Sequence, residues 1–171
     1  NPEDDLLATA GKAIQQGDYA EALPAAKEAL ALNPDNVNAK YMLIDCYIET
    51  GSIDTAKALL EEIKLVDQDS RYKSLAGKIE LAEQAADTPE IRQLQAAVEA
   101  NPDDLQLKVD LAVQLQQANK AQDALELLYS VLKKELGFGD ARKLMMDMVN
   151  ALADGDPLKS EYRRKVYSLL Y

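Results

Sequence analysis

Apolar residues return along this chain on two length scales. Over short distances they fall at helical spacing: Leu158, Tyr162, Val166 and Leu169 stand at i, i+4, i+8 and i+11, one face of a helix. Over longer distances, a 34-residue step from Leu7 leads to Tyr41, Leu75 and Val109, apolar each time. Two parallel series taken with the same step are mixed. One reads Gly11, Asp45, Ile79 and Val113, the other Asp4, Asn38, Tyr72 and Gln106. Ala and Leu are abundant, Gly (7) and Pro (6) are scarce, and β-branched residues seldom come in runs. Helices are expected almost throughout, making the fold all-α.

The residues that stop helices keep the same period. Gly17 recurs as Gly51 and then becomes Ala85 and Asn119; Ala22 recurs as Ala56, is lost at Glu90 and returns as Ala124. Asn33-Pro34 and Asn101-Pro102 lie two steps apart. Glycine takes the left-handed conformation that ends a helix, alanine lets two helices cross closely, and proline stops the second helix of each pair. The pattern resembles the tetratricopeptide repeat. It implies a right-handed superhelix of helix–turn–helix units at about 3–36, 37–70, 71–104 and 105–136, each needing its neighbours to bury its apolar face. The third unit is the most degenerate: Thr88 is expected as an N-cap and Pro89 as the first helical residue. After Leu136 the period breaks. Two further helices, roughly 140–153 and 157–170, are expected as a C-terminal capping hairpin over 137–171.

Charge and chemistry narrow the function. The formal charge of −11 argues against a nucleic-acid partner, and most of the acidity reads as solvated helix faces. No apolar stretch is long enough to cross a bilayer and no cleavage pattern opens the chain, so a soluble protein with no membrane partner is expected, and its single cysteine fits a reducing, cytoplasmic compartment. There is no histidine, no Gly-rich phosphate loop and no nucleophile with a base in a recognisable pattern. Asp67, Asp69, Asp154 and Asp156 read as turn and capping residues, too few and wrongly spaced for a calcium loop. Cys46, the one cysteine, is expected as a buried, inert thiol in the first helix of the second unit. No enzyme activity, cofactor or metal is expected.

What remains is a surface that binds. In the repeat, the second, fifth and ninth positions of each first helix line a concave groove. The candidates are Leu7, Tyr41, Tyr72, Leu75, Ile79, Val109 and Val113, a stripe suited to an apolar client segment. Packing between adjacent first helices is an equal alternative for the fifth position. The cationic clamp with which some repeat proteins grip a carboxyl terminus is absent, its positions carrying Leu7, Gly11, Met42, Tyr72 and Ala76.

The stretch DQDSRYKSLAGKIELAEQAADTPEIRQLQ, the first unit's GDYAEALP and the terminal YRRKVYSLLY resemble the C-terminal half of the bacterial chaperedoxins. In this family a thioredoxin-like domain precedes a tetratricopeptide tail. The resemblance spans essentially the whole chain. It implies a co-chaperone module that holds unfolded clients and passes them to the chaperonin or the Hsp70 system. It also implies a thioredoxin-like domain outside these residues in the full protein, and the redox role is not carried onto Cys46. The family's docking element corresponds to the last helix. One face, through Leu158, Tyr162, Val166 and Leu169, is expected to pack inward. The other, through Arg163, Arg164, Tyr167, Leu170 and Tyr171, is the candidate chaperonin contact. Lys159, Arg163, Arg164 and Lys165 against Glu161 give this segment a local charge of +3. The alternatives are a structural adaptor that holds no clients and, for the last helix, a solubilising cap.

Overall fold

In a computed structural model, residues 1–171 form ten α-helices and one short 3-10 turn, with no strand. The helices are α1 (Pro2–Gln15), α2 (Tyr19–Leu32), α3 (Val37–Glu49), α4 (Ile53–Glu61), α5 (Ser70–Ala86), α6 (Pro89–Ala100), α7 (Leu105–Gln117), α8 (Ala121–Lys134), α9 (Ala141–Ala151) and α10 (Pro157–Leu170). None is long and apolar enough to cross a membrane.

Local chemistry fixes the helix ends. Gly17, Gly51 and Asn119 all have positive φ, at 75°, 91° and 63°. Each closes its turn with the same pair of bonds: Asp18, Ser52 and Lys120 donate N–H to Ala13, Tyr47 and Leu115, five residues back. The shorter bonds run from Gly17, Gly51 and Asn119 to Ile14, Ile48 and Gln116. This is the 6→1 and 5→2 pairing that satisfies the last carbonyls of a helix. Asn tolerates the left-handed region better than other side chains, which is why it substitutes for glycine. Ala85 occupies the same slot but lies inside α5, where the helix runs on by one residue and no left-handed cap forms. The chain turns instead at Thr88, whose side chain accepts the Ile91 N–H, with Pro89 opening α6. Asp18, Asn36 and Asp104 cap α2, α3 and α7 in the same way.

Packing divides the chain differently from its sequence period, into two compact units. The first comprises Asn1–Ala82 with the four residues Ala153–Asp156; the second comprises Glu83–Leu152 with Pro157–Tyr171. In the first, Leu23 of α2, Ile44, Cys46 and Tyr47 of α3, Ile53 of α4, and Leu75 and Ile79 of α5 share one apolar cluster. Ala10, Ala22, Ala26 and Ala56 are fully buried there, small enough to let the helices cross closely. In the second, Leu111 of α7, Leu125, Leu128 and Val131 of α8, Met145 and Val149 of α9, and Leu158, Tyr162 and Val166 of α10 form the core. Here α10 packs on both α8 and α9, covering the apolar face that α8 would otherwise expose.

Candidate functional site

The first unit carries a cleft of about 530 Å³ lined by α1, α3 and the start of α5. Tyr41 and Leu75 line it as expected, but both are buried, as is Ile79; in the second unit Val109 is buried too. Leu7, Tyr72 and Val113 are half-buried. The apolar stripe expected as an open client groove is therefore largely helix-packing surface. Tyr41, Leu75 and Ile79 belong to the apolar cluster of the first unit and Val109 to that of the second.

Beside its mostly apolar lining, the cleft carries two braced cations. On α5, Arg71 donates to the Asp69 carboxylate at 2.8 Å and to Asn38 Oδ1 at 2.6 Å, with its guanidinium 4.5 Å from the centre of the Tyr41 ring. The Tyr41 hydroxyl in turn donates to the Asp67 carbonyl at 2.7 Å. Two turns along, Lys78 reaches Asp45 at 2.6 Å and Glu49 at 3.0 Å and lies 5.8 Å from the Tyr19 ring. Burial would lower the Lys78 pKa, but hydrogen bonds to Asp45 and Glu49 outweigh it and raise the value above the usual lysine range. The Asp69 hydrogen bond raises Arg71 in the same direction and holds the carboxyl of Asp69 low. Arg71 and Lys78 escaped the sequence reading. Their signal was a 33-residue offset pairing Asn38 with Arg71 and Asp45 with Lys78, one short of the repeat.

The last helix divides its residues nearly as its wheel implies. Leu158, Tyr162 and Val166 are buried and Leu169 is half-buried against the same core. Tyr162 donates to Glu126 of α8 at 2.6 Å, and burial, with that carboxylate's help, raises its phenol above the usual range. On the other face Arg164 is exposed, Tyr167 is 50% exposed and Tyr171 fully so, while Arg163 is half-buried. Leu170 does not belong with them: it is half-buried and packs against the core of the second unit. Nor is the basic character all outward. Lys165 pairs with Glu126 and Glu161 at 3.6 and 3.5 Å and stacks on Tyr162 and Tyr129 at 4.6 and 5.3 Å. Lys159 donates to the Leu152 carbonyl at 3.1 Å. The outward set is Arg163, Arg164, Tyr167 and Tyr171.

Cys46 is fully buried, and burial first, with the nearby Asp45 carboxylate second, pushes its thiol up to about 12. A thiol so disfavoured as thiolate is a poor nucleophile and a poor metal ligand. No cluster of three or more His, Cys, Asp or Glu side chains is placed to hold a metal ion. Asp156 closes the turn before α10, its N–H donating to the Ala153 carbonyl at 3.0 Å, and its side chain is buried and accepts a hydrogen bond from the Ser52 hydroxyl.

Helix pairs closed by left-handed turns at a 34-residue step form a repeat scaffold of the kind that mediates protein–protein interaction. Tetratricopeptide-repeat models match residues 13–79 and 84–171, and the chain belongs to the tetratricopeptide repeat family. It is 41% identical over 162 residues to an uncharacterized protein of Haemophilus influenzae, covering 92% of this chain and 74% of that one. It also resembles the crystal structure of a domain of VP0806, a Vibrio parahaemolyticus protein of unknown function. The two are 39% identical, with a TM-score of 0.81 over 98% of this chain and 99% of that one.

Proposed function

We propose that this chain is the interaction module of a thioredoxin-like co-chaperone of the cytoplasm, docking to the chaperonin through the outward face of α10. The observation that carries the reading is that face. Two tyrosines and Arg164 stand exposed on a helix whose opposite side is anchored by Tyr162 and Val166. Aromatic and arginine side chains on a rigid element are the residue types that dominate protein interfaces. The resemblance of YRRKVYSLLY to the docking helix of the chaperedoxins supplies the partner. Removing the whole segment would also remove buried Tyr162 and Val166, so the test is by surface substitution. The triple variant Arg164→Glu, Tyr167→Ala, Tyr171→Ala should keep its helical circular dichroism and lose at least tenfold in affinity for the chaperonin. Unchanged affinity would overturn the assignment.

A second reading is favoured by the buried stripe. With Tyr41, Leu75, Ile79 and Val109 buried, four of the seven candidate groove residues are not presented to an unfolded client, which fits an adaptor that docks without holding. Light scattering of an aggregating model client separates the two. A holdase suppresses the signal at stoichiometric ratio, and an adaptor leaves it unchanged.

A further inference from the structure

Four residues between α9 and α10, Ala153–Asp156, belong by packing to the first unit, and several independent features hold them there. Ser52 and Asp156 are the two buried polar side chains of the protein, 2% and 3% exposed, and they bond to each other across 104 residues of sequence. Ser52 stands at the N-cap of α4, where a serine oxygen ordinarily accepts from the first turn; here no such cap bond forms, and the hydroxyl donates to Asp156 instead. Lys27 of α2 donates to the Gly155 carbonyl at 2.6 Å. Gly155 itself has φ +90°, and a Cβ added there would stand 3.0 Å from Leu23 Cδ2, a fully buried core atom. Ala153 packs against the same cluster. Burying a carboxylate is costly unless it is well satisfied, so a segment carrying one stays seated only where its site is built for it.

We infer that Ala153–Asp156 is a strap that completes the first unit and that its Asp156 holds the α3–α4 turn closed through Ser52. The inference concerns the chain alone and stands or falls independently of any chaperonin contact.

Hydrogen exchange of the full chain, read by mass spectrometry, tests it. The reporting amides are Gly51, Ser52 and Ala56, which donate to Ile48, Tyr47 and Ser52 in the turn; those of Asn119 and Lys120 in the second unit serve as control. Ser52→Ala and Asp156→Ala should each speed exchange at the α3–α4 turn about tenfold or more and leave the control unchanged, because local opening tracks the interactions lost nearby. No change at the turn in these variants would overturn the strap. A rise of equal size at the control amides in those variants would also overturn it, since that is general destabilisation.

Discussion

Tyr162 offers the sharpest test of how α10 is anchored. Its ring is 2% exposed in the core of the second unit and its hydroxyl bonds Glu126 at 2.6 Å. Removing only the hydroxyl, in Tyr162→Phe, deletes a hydrogen bond to a charged group, nominally about 1.5–3 kcal/mol. Glu126 is 55% exposed and recovers water, and Lys165 remains 3.6 Å from the same oxygen. The net cost therefore falls to about 1 kcal/mol, or about 2–4 °C in Tm for a chain of this length. Removing the ring, in Tyr162→Ala, adds an unfilled core volume and should cost about 3–5 kcal/mol. Urea unfolding followed by circular dichroism measures both. The pH dependence supplies a third reading. A phenol whose folded pKa is raised above its ordinary 10.0 contributes stability that is fully present below that value and is lost as pH rises through the folded pKa. Tyr162→Phe should remove that part of the alkaline loss. If Phe proves as costly as Ala, packing is not what seats the ring and the reasoning fails; if Phe costs nothing, the Glu126 bond is idle.

Three shorter expectations follow from the turns, the thiol and the N-terminus. Gly17→Ala meets no steric neighbour, so its cost of about 1 kcal/mol comes from the backbone alone, whereas Asn119→Gly should be neutral or slightly stabilising; paired urea midpoints decide. Cys46 should resist a thiol reagent in the native state and react at once in denaturant, and rapid native labelling would contradict its burial. Glu3 accepts from Asn36 and Asn33, which together hold its pKa below the ordinary 4.5. Its contribution is present above that value and lost as pH falls through the folded one, so Glu3→Gln should flatten the stability profile below pH 4.5, and an unaltered acid limb would refute it.

The legible part of this protein was whatever repeats. Gly17, Gly51 and Asn119 announce their turns because one backbone conformation recurs at a fixed step, and Thr88 with Pro89 marks the place where that turn is replaced. The inward face of α10 was legible for a similar reason, since helical spacing is local. Tertiary partners were not. Nothing near Asp156 in sequence signals Ser52, 104 residues away, and Lys165 reads as a surface cation until Glu126 and Tyr129 are seen beside it. The groove residues fall between. Their period was visible, but periodicity does not say whether an apolar position faces a ligand or the next helix.

That ambiguity bears on what the outward face of α10 can mean. Beside its apolar lining, the cleft holds braced ion pairs such as Lys78 with Asp45 and Glu49. Cations already satisfied by neighbouring carboxylates have little to gain from a new partner, and separating them costs the desolvation of both. Tyr167 and Tyr171 lie under no such constraint. They bring exposed aromatic area with few rotatable bonds, and Arg164 beside them is exposed. Per residue engaged, the end of the chain therefore has more to gain from a protein partner than those cations do. The first substitutions to make are on α10.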